Sequence, residues 1–419
     1  MKVLIFTQHF PPETVATGRR GFDLAESLSA RGHQVTVITG VPNHPSSLGR
    51  PFCRVVPRVE VAPAGYKIVR TRVFRSRNTQ AHKRLLTYGT FVLSAVWAGL
   101  RQERPDVILA VSPLPTGLAA MLVHWVRRAP LVFDLQDVWP DSAMAVGVMR
   151  PGLVFRFLRR LERFFYGRCR MIVGISEGFK QYLVGLGVRP ERVAMIPNGV
   201  QVEMFAGVEG NREFQRAYQL EGKFVVGYTG NIGLAQGMDT LLGAAAVLRG
   251  SPVRFLLVGE GTDKLRIMER AAQRGLRNVK FVDGVPREHV PSILALCDAF
   301  LLILRRDPLF KITIPSKLYE YMASGKPILC SVGGEAAGLV AVCRCGLRVA
   351  PSDAAALVEA IQHLMRDPAL CRKLGEMGVD SAQKHFSHSL LMADYAELTE
   401  RLVPISPEPV GRLALSLKK

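Results

Sequence analysis

Nearly continuous apolar runs of four to seven residues recur along this chain, and between them apolar positions return every three to four residues. The first run, "KVLIFT" at 2–7, is apolar on both faces, as a strand covered by helices on both sides must be. A Pro/Gly-containing loop follows, then a helical pattern over 18–32 and a second strand at 34–39. Further strands are predicted at 106–111, 130–135, 170–176 and 192–197. Residues 198–223 are polar and weakly patterned, and the domain junction is placed there. The alternation then restarts. Strands are predicted at 224–230, 253–259, 279–284, 299–304 and 327–332, with helices from about 236, from about 262, over 286–297 and after 315. A last helix near 388–403 precedes a Pro-rich tail expected to fray. Strand and helix in strict turn imply parallel sheets joined by right-handed crossovers. The fold class is therefore α/β. Two doubly wound domains, 1–200 and 201–385, face a cleft, and 386–419 form a return helix and tail.

Composition agrees with that architecture. A chain of 419 residues, 48% hydrophobic and 21% charged, is too long for one typical core and too apolar to be disordered. The net charge of +20 is unevenly spread: residues 1–200 hold 28 Lys/Arg against 12 Asp/Glu, the remainder 27 against 23. A basic first half suits nucleic acid, an anionic membrane or a phosphorylated substrate; a merely soluble basic surface is the plainer alternative. Seven cysteines, at 53, 169, 297, 330, 343, 345 and 371, form no C-x-x-C pair and read as free thiols of a reducing compartment. The opening residues form a strand and not a signal peptide. Residues 85–100 are apolar but short for a membrane span, and Pro113 and Pro115 break 107–126, so no transmembrane helix is expected.

The stretch "KITIPSKLYEYMASGKPILCSV" (311–332) carries the first chemistry. Its helix opens on Pro315, Ser316 and Lys317, bears Glu320 one turn on, and stops at Gly325. A cation in the first turn sits beside the positive end of the helix dipole, where an anion is favoured. An anionic ligand would account for it. Three loops end strands of the same half: "GYTGNIG" (227–233), "VGEGTDK" (258–264) and "VDGVPREHV" (282–290). Glycines there let backbone N–H groups approach a phosphate. None is a dinucleotide or P-loop fingerprint. Singly each is a tight turn; with Lys317 they make a diphosphate cradle.

The order "FPPE…TGRR", "RGHQVTVIT", "GISEGF", "IPNGV", "YTGNIGLAQGMDTLL", "VGEG", "VPREHVP" and "IPSKLYEYMASGKPI" resembles glycosyltransferase family 4 over roughly residues 1–400. "DLQDVWPDSA" (134–143) and "IPSKLYEYM" resemble its bacterial L-fucosamine and colanic-acid-type branch. The resemblance implies the GT-B fold, two Rossmann-like domains, and retaining transfer of a sugar from a nucleotide donor. It implies that Glu320, the second Glu of an E-x7-E motif, holds the ribose, whose two hydroxyls a carboxylate can accept. The first Glu falls on Ile312, and the usual Arg and Lys fall on Asn231 and Gln236. Lys317 and the amides of Ser316 and Lys317 would then supply the missing charge, helped by Lys311 or Arg305. The donor set on this reading is Gly230, Asn231, Gly233, Gly259, Glu260, Val285, Lys311, Ser316, Lys317 and Glu320.

On the first domain the resemblance places Gly18 and Arg19 at the leaving diphosphate or the acceptor, and Asp137 near the reacting sugar. Asp137 either orients an acceptor hydroxyl and stabilises an oxocarbenium-like transition state, or, like Asp141, caps the next helix. Asp134 and His9 read as structural. With no D-x-D and no His/Asp cluster, no metal and no cofactor is expected, and protein groups would stabilise the diphosphate.

Residues 153–168, "LVFRFLRRLERFFYGR", are amphipathic: Val154, Phe157, Leu158, Leu161 and Phe165 fall on one face, Arg156, Arg159, Arg160 and Arg163 on the other. The apolar stripe reads as core-facing and the basic back as a surface for anionic headgroups. The basic stretch 67–84 lies where the resemblance brings in the acceptor. The expected partners are a nucleotide-sugar donor, probed first as UDP-linked N-acetylated hexosamine or deoxyhexosamine, a lipid-linked or polysaccharide acceptor, and an anionic membrane surface. No recognition motif points to nucleic acid. The expected location is cytoplasmic, peripheral to the inner face of the plasma membrane. Two other readings remain at this point: a non-hydrolysing UDP-sugar 2-epimerase on the same fold, and a non-catalytic sugar-nucleotide binder.

Overall fold

The structure, a computed structural model, describes residues 1–13, 15–42, 58–74 and 81–403. Cys53 and the tail from 404 onward lie outside the described residues, as do 75–80 of the basic stretch.

Eight strands form the first sheet: β1 (Lys2–Phe6), β2 (Gln34–Gly40), β3 (Val59–Val61), β4 (Lys67–Thr71), β5 (Val107–Val111), β6 (Leu131–Leu135), β7 (Met171–Gly174) and β8 (Val193–Met195). Their order is β3-β4-β2-β1-β5-β6-β7-β8, parallel except for the β3–β4 pair. Six form the second, all parallel: β9 (Phe224–Thr229), β10 (Val253–Val258), β11 (Val279–Val282), β12 (Ala299–Ile303), β13 (Ile328–Ser331) and β14 (Gly346–Arg348), ordered β11-β10-β9-β12-β13-β14. Val3 pairs with Val35 on one side and Val107 on the other. The chain therefore reverses direction between β1 and β5, and again between β9 and β12. Those two switch points open crevices at the carboxyl ends of the strands, where such sheets bind ligands.

The covering helices of the first domain are α1 (Ala16–Ala30), α2 (Ala81–Leu100), α3 (Leu114–Arg127), α4 (Asp141–Ala145), α5 (Leu153–Tyr166) and α6 (Glu177–Gly185). Those of the second are α7 (Arg212–Ala217), α8 (Asp239–Val247), α9 (Lys264–Gln273), α10 (Val290–Leu294), α11 (Lys317–Ala323), α12 (Glu335–Val342), α13 (Ala354–Arg366) and α14 (Pro368–His385). The last helix, α15 (His388–Leu402), crosses back to the first domain. There Leu391, Met392, Tyr395 and Ala396 are buried with Leu24, Ala25 and Leu28 of α1. The crossing is tied by Val200 N–H to the Phe386 carbonyl and His388 N–H to the Val200 carbonyl, both 2.9 Å.

A second bridge joins the domains below the cleft. Leu309 and Ile312 pack against the first domain's core, while Ala145 and Val146 pack against the second's. Ser176 Oγ donates to the Ile312 carbonyl at 2.7 Å, and the Gly178 amide donates to the Glu335 carboxylate. A Cβ at Gly178 would lie 2.6 Å from Ile312 Cβ, so the domains meet here with no room for a side chain.

Two expectations are corrected. The basic stretch 67–84 is not one open loop: it enters as β4, and its Arg70 is buried, bonded to Glu60 at 2.7 Å and to the Pro11 carbonyl at 2.8 Å. The apolar stripe of α5 faces the core only in its C-terminal half, where Leu158 and Leu161 are half-buried and Phe165 is buried. Leu153, Val154 and Phe157 are 77%, 67% and 63% exposed, and only its Phe165 end is fully buried. The reason is that α5 meets α3 through Phe165, which leans on Gly117, so the helix seats by its C-terminal half and presents its first turns to solvent.

That seat gives a prediction in which packing opposes propensity. Gly117→Ala gains about 1 kcal/mol of helix propensity, but its Cβ would lie 2.4 Å from the Phe165 ring. Overpacking wins, and a net loss of about 1–3 kcal/mol is expected in urea unfolding. Gly338→Ala on α12 meets nothing within 4 Å and should be neutral or stabilising; equal effects at both sites would contradict the packing.

Candidate functional site

The second domain's wall is built from loops that interlock through missing side chains. Gly259 has φ +146°, and a Cβ there would sit 1.9 Å from the Gly230 carbonyl oxygen. Only glycine lets the loop after β10 lie against the loop after β9. Glu260 ties on the third loop, accepting from the Gly284 amide and from Lys264 Nζ, both at 3.1 Å. Lys264 is itself buried and reaches Asp283 at 2.5 Å. Glu260 thus orders the loops with one oxygen. Val285 is half-buried against the domain core and fixes the third loop from beneath.

Of the neutral residues in place of two cations, Gln236 serves its own loop by its side chain and Asn231 by its backbone. Gln236 Oε1 accepts the Gly233 amide at 2.9 Å, and the Asn231 carbonyl accepts Tyr228 OH at 2.5 Å. That second bond stands Tyr228 upright under Lys317, whose Nζ lies 3.7 Å from the ring centroid. The same amine faces Gly230, where a Cβ would come within 3.4 Å of it.

Helix α11 is fixed in turn by Tyr321. Its hydroxyl accepts the Thr229 amide at 2.9 Å, and its ring stacks on Phe300 at 4.4 Å. No side-chain cap closes the start of α11 at Ser316, and the amides of Ser316 and Lys317 point out of the helix end as such amides do. Glu320, the next turn's carboxylate, is 3.9 Å from Arg287. Removal from water pushes the Lys317 amine down to about 7, with Glu320 opposing, and pushes the Glu320 carboxyl up, with Arg287, Lys317 and Arg19 opposing. An anion placed beside that amine would favour its charged form.

Arg19 reaches Glu320's field from the opposite wall, so the two domains share one electrostatic site. Arg19 stands on the first turn of α1 and pairs with Asp23 at 2.6 Å. Gly18, beside it, lets α1 approach His9, whose backbone would lie 3.2 Å from a Cβ there. Arg20 turns inward: buried, it bonds Asp134 at 3.0 Å and the carbonyls of Ile196 and Pro197, which makes Asp134 structural. His9 bonds Glu13 at 3.1 Å.

Asp137 follows β6 and is open to solvent at the cleft wall. Its Oδ2 accepts Ser142 Oγ at 3.0 Å. Surrounding protein pushes its carboxyl up, while the Ser142 hydroxyl and Val138 amide oppose. It does not cap α4: the residue at that cap is Pro140, and no side chain caps the helix. Asp141 does not cap it either, being turned to Arg159 and Tyr182.

Lys311 lies on the interdomain bridge against Gly333 and Gly334, and Ile312 beside it faces the first domain. Arg305 leans on Gly237. Arg287 is a site residue that sequence reasoning missed; the one signal was that it is the sole cation in "VDGVPREHV". Glu335 was missed as well, because a carboxylate that binds the other domain's helix has no local signature.

Two family profiles cover this arrangement: the glycosyl transferase 4-like domain over residues 17–199, and the glycosyl transferases group 1 over 211–380. The chain belongs to glycosyltransferase family 4. This transferase is 29% identical over 335 residues to the colanic acid biosynthesis glycosyl transferase WcaI of Escherichia coli (strain K12), covering 78% of this chain and 82% of that one. It is 25% identical over 269 residues to the glycosyltransferase WbjE of Pseudomonas aeruginosa, covering 63% and 67%. Among solved structures, Anabaena HepE in complex with UDP and glucose superposes with a TM-score of 0.72 at 17% identity, over 96% of this chain and 100% of that one. At that identity the likeness establishes the GT-B fold of the transferase.

Proposed function

We propose that this glycosyltransferase moves a sugar, an N-acetylated hexosamine or deoxyhexosamine, from a UDP-linked donor to a lipid-linked or polysaccharide acceptor in bacterial cell-surface glycan synthesis, with retention of configuration. The observation that carries the reading is Lys317 Nζ poised over Tyr228 and Gly230 with Glu320 one turn away. The amine and the amides of Ser316 and Lys317 hold the diphosphate, Arg19 faces it across the cleft, and Glu320 accepts the ribose hydroxyls. The sugar's anomeric C–O bond breaks, its electron pair leaving with the β-phosphate. The acceptor hydroxyl bonds to that carbon and its proton passes to the departing phosphate, with Asp137 orienting the acceptor. Protein cations carry the charge in this scheme, with no metal step. The names of WcaI and of the UDP complexes of HepE support the acceptor class and the nucleotide.

The transferase on this reading works on the cytoplasmic face of the membrane. Among the described residues no helix is long and apolar enough to cross a bilayer. Support for surface binding comes from α5, where exposed Leu153, Val154 and Phe157 stand among exposed Arg156, Arg160 and Arg163, and from Trp125 of α3, 6.3 Å from Phe164. Apolar side chains rimmed by cations suit an anionic interface.

Two experiments test these readings. Lys317→Met should weaken UDP binding at least about tenfold in calorimetry, the cost of one charge-assisted contact, with the unfolding midpoint kept. Since the free amine sits near 7 and a diphosphate raises it, wild-type binding at pH 8 should take up a proton and weaken as pH rises further. Unchanged affinity and heats independent of the buffer's ionisation would refute the role. Separately, vesicle binding should grow with anionic lipid and fade in high salt; equal binding to neutral vesicles would count against the membrane reading.

A further inference from the structure

Helix α5 carries one arginine inward. Arg159 lies on the side away from Phe157 and enters a cluster of polar groups between α4, α5 and α6. Its guanidinium donates to Asp141, to the Tyr182 hydroxyl and, at 3.1 Å, to Glu162. Tyr182 OH donates to the other oxygen of Asp141 at 2.6 Å, and Tyr166 OH donates to Glu162 at 2.9 Å. Both oxygens of Asp141 are thereby held.

The cluster is expensive. Glu162 is fully buried, and its desolvation pushes the carboxyl up to about 7. Apolar residues of similar volume replace buried ion clusters with little loss, often with a gain. Packing alone therefore does not explain why two carboxylates and a guanidinium sit here. Their position does. Asp141 begins α4, five residues that cannot hold a helical shape by themselves. The next residue, Ser142, donates to Asp137 at 3.0 Å. On its far side α4 sends Ala145 and Val146 against the second domain. A short helix between the two domains, bearing the hydroxyl that aims Asp137, is held from behind by a saturated fork.

We propose that Arg159 is a positioning residue for Asp137, acting through Asp141 and Ser142 of α4 without touching donor or acceptor. The proposal rests on the reading that Asp137 orients the acceptor, and its test separates the two. Arg159 sets where Ser142 stands, and Ser142 sets the direction and basicity of the Asp137 carboxylate. Lysine in its place would reach Asp141 but could not fork to Tyr182 and Glu162 at once.

The relay is read on the intact protein by carbon-13 carboxyl NMR of labelled aspartate, with Asp137→Asn identifying the Asp137 signal. A hydroxyl donated to a carboxylate favours its charged form, so Ser142→Ala should raise the Asp137 titration midpoint by about half to one pH unit. Arg159→Met should raise it by a similar amount, Arg159→Lys by less, and the Arg159→Met/Ser142→Ala pair no further than Ser142→Ala alone. Tyr182→Phe, which removes one hydroxyl, reports on the same link if Arg159→Met fails to fold. An Asp137 midpoint that moves in Ser142→Ala but stays at the wild-type value in Arg159→Met and Tyr182→Phe, or shifts that simply add in the double variant, would overturn the relay. The parent reading is scored by turnover, measured as UDP release from UDP-N-acetylglucosamine with membrane lipid extract. Asp137→Asn should lower it about a hundredfold, and Arg159→Met about ten- to a hundredfold with UDP affinity unchanged. Full turnover in Asp137→Asn would end the reading of Asp137 while the titration result still decides whether Arg159 positions it.

Discussion

The site depends on a cation kept short of water. Lys317 sits in the first turn of a helix, over the face of Tyr228, with removal from solvent pulling its amine toward 7. In that position the charge is costly until an anion arrives, so part of the binding free energy of a diphosphate is the relief of that cost. The surrounding construction serves to keep the amine there. Tyr321 fixes α11 to the end of β9, Asn231 holds Tyr228 upright, and the glycines at 230 and 259 bring two loops into contact beneath it. Here the Gln236 side chain orders its own loop through the Gly233 amide, and on the proposed reading the positive charge comes from α11.

The same economy governs domain contact. Ile312, at the position where the resemblance implies a glutamate, packs on the first domain at Gly178. Glu335 binds the amide end of α6 from across the interface, a favourable place for a carboxylate beside a helix N-terminus. The bridge thus holds the two walls at a spacing where Arg19 and Glu320 already feel one another. On the outer side, α5 combines an exposed apolar stripe with an inward arginine. The helix with the exposed apolar turns is therefore also the one whose arginine is bonded to Asp141 of α4.

Much of this was legible in the chain. All strands but β3, β4 and β14 follow from apolar runs, since a strand covered on both faces leaves little room for polar alternation. Lys317 was legible as an anomaly of charge at a helix start, and Asp134 as structural. Less legible was whatever depends on distant partners. β3 and β14 are three residues each and carry no periodic signal. The α5 stripe has the spacing of a core-facing helix, and nothing local says that its first turns overhang the domain. Arg70 and Arg159 look like surface cations until Glu60 and Asp141, each on another element, are brought to them. Helix α4 is expected only as a helix for Asp137 or Asp141 to cap, so the bonds of Ser142 and Asp141 become visible only with the structure in place.

The central claim is that Lys317, not a cation after the domain's first strand, receives the donor's diphosphate. A crystal structure with UDP bound tests it most directly. The account predicts the diphosphate within hydrogen-bond reach of Lys317 Nζ and the amides of residues 316–317, with the ribose hydroxyls on Glu320. A uridine nucleotide bound elsewhere, or a Lys317 side chain swung into bulk water with the nucleotide present, would contradict it.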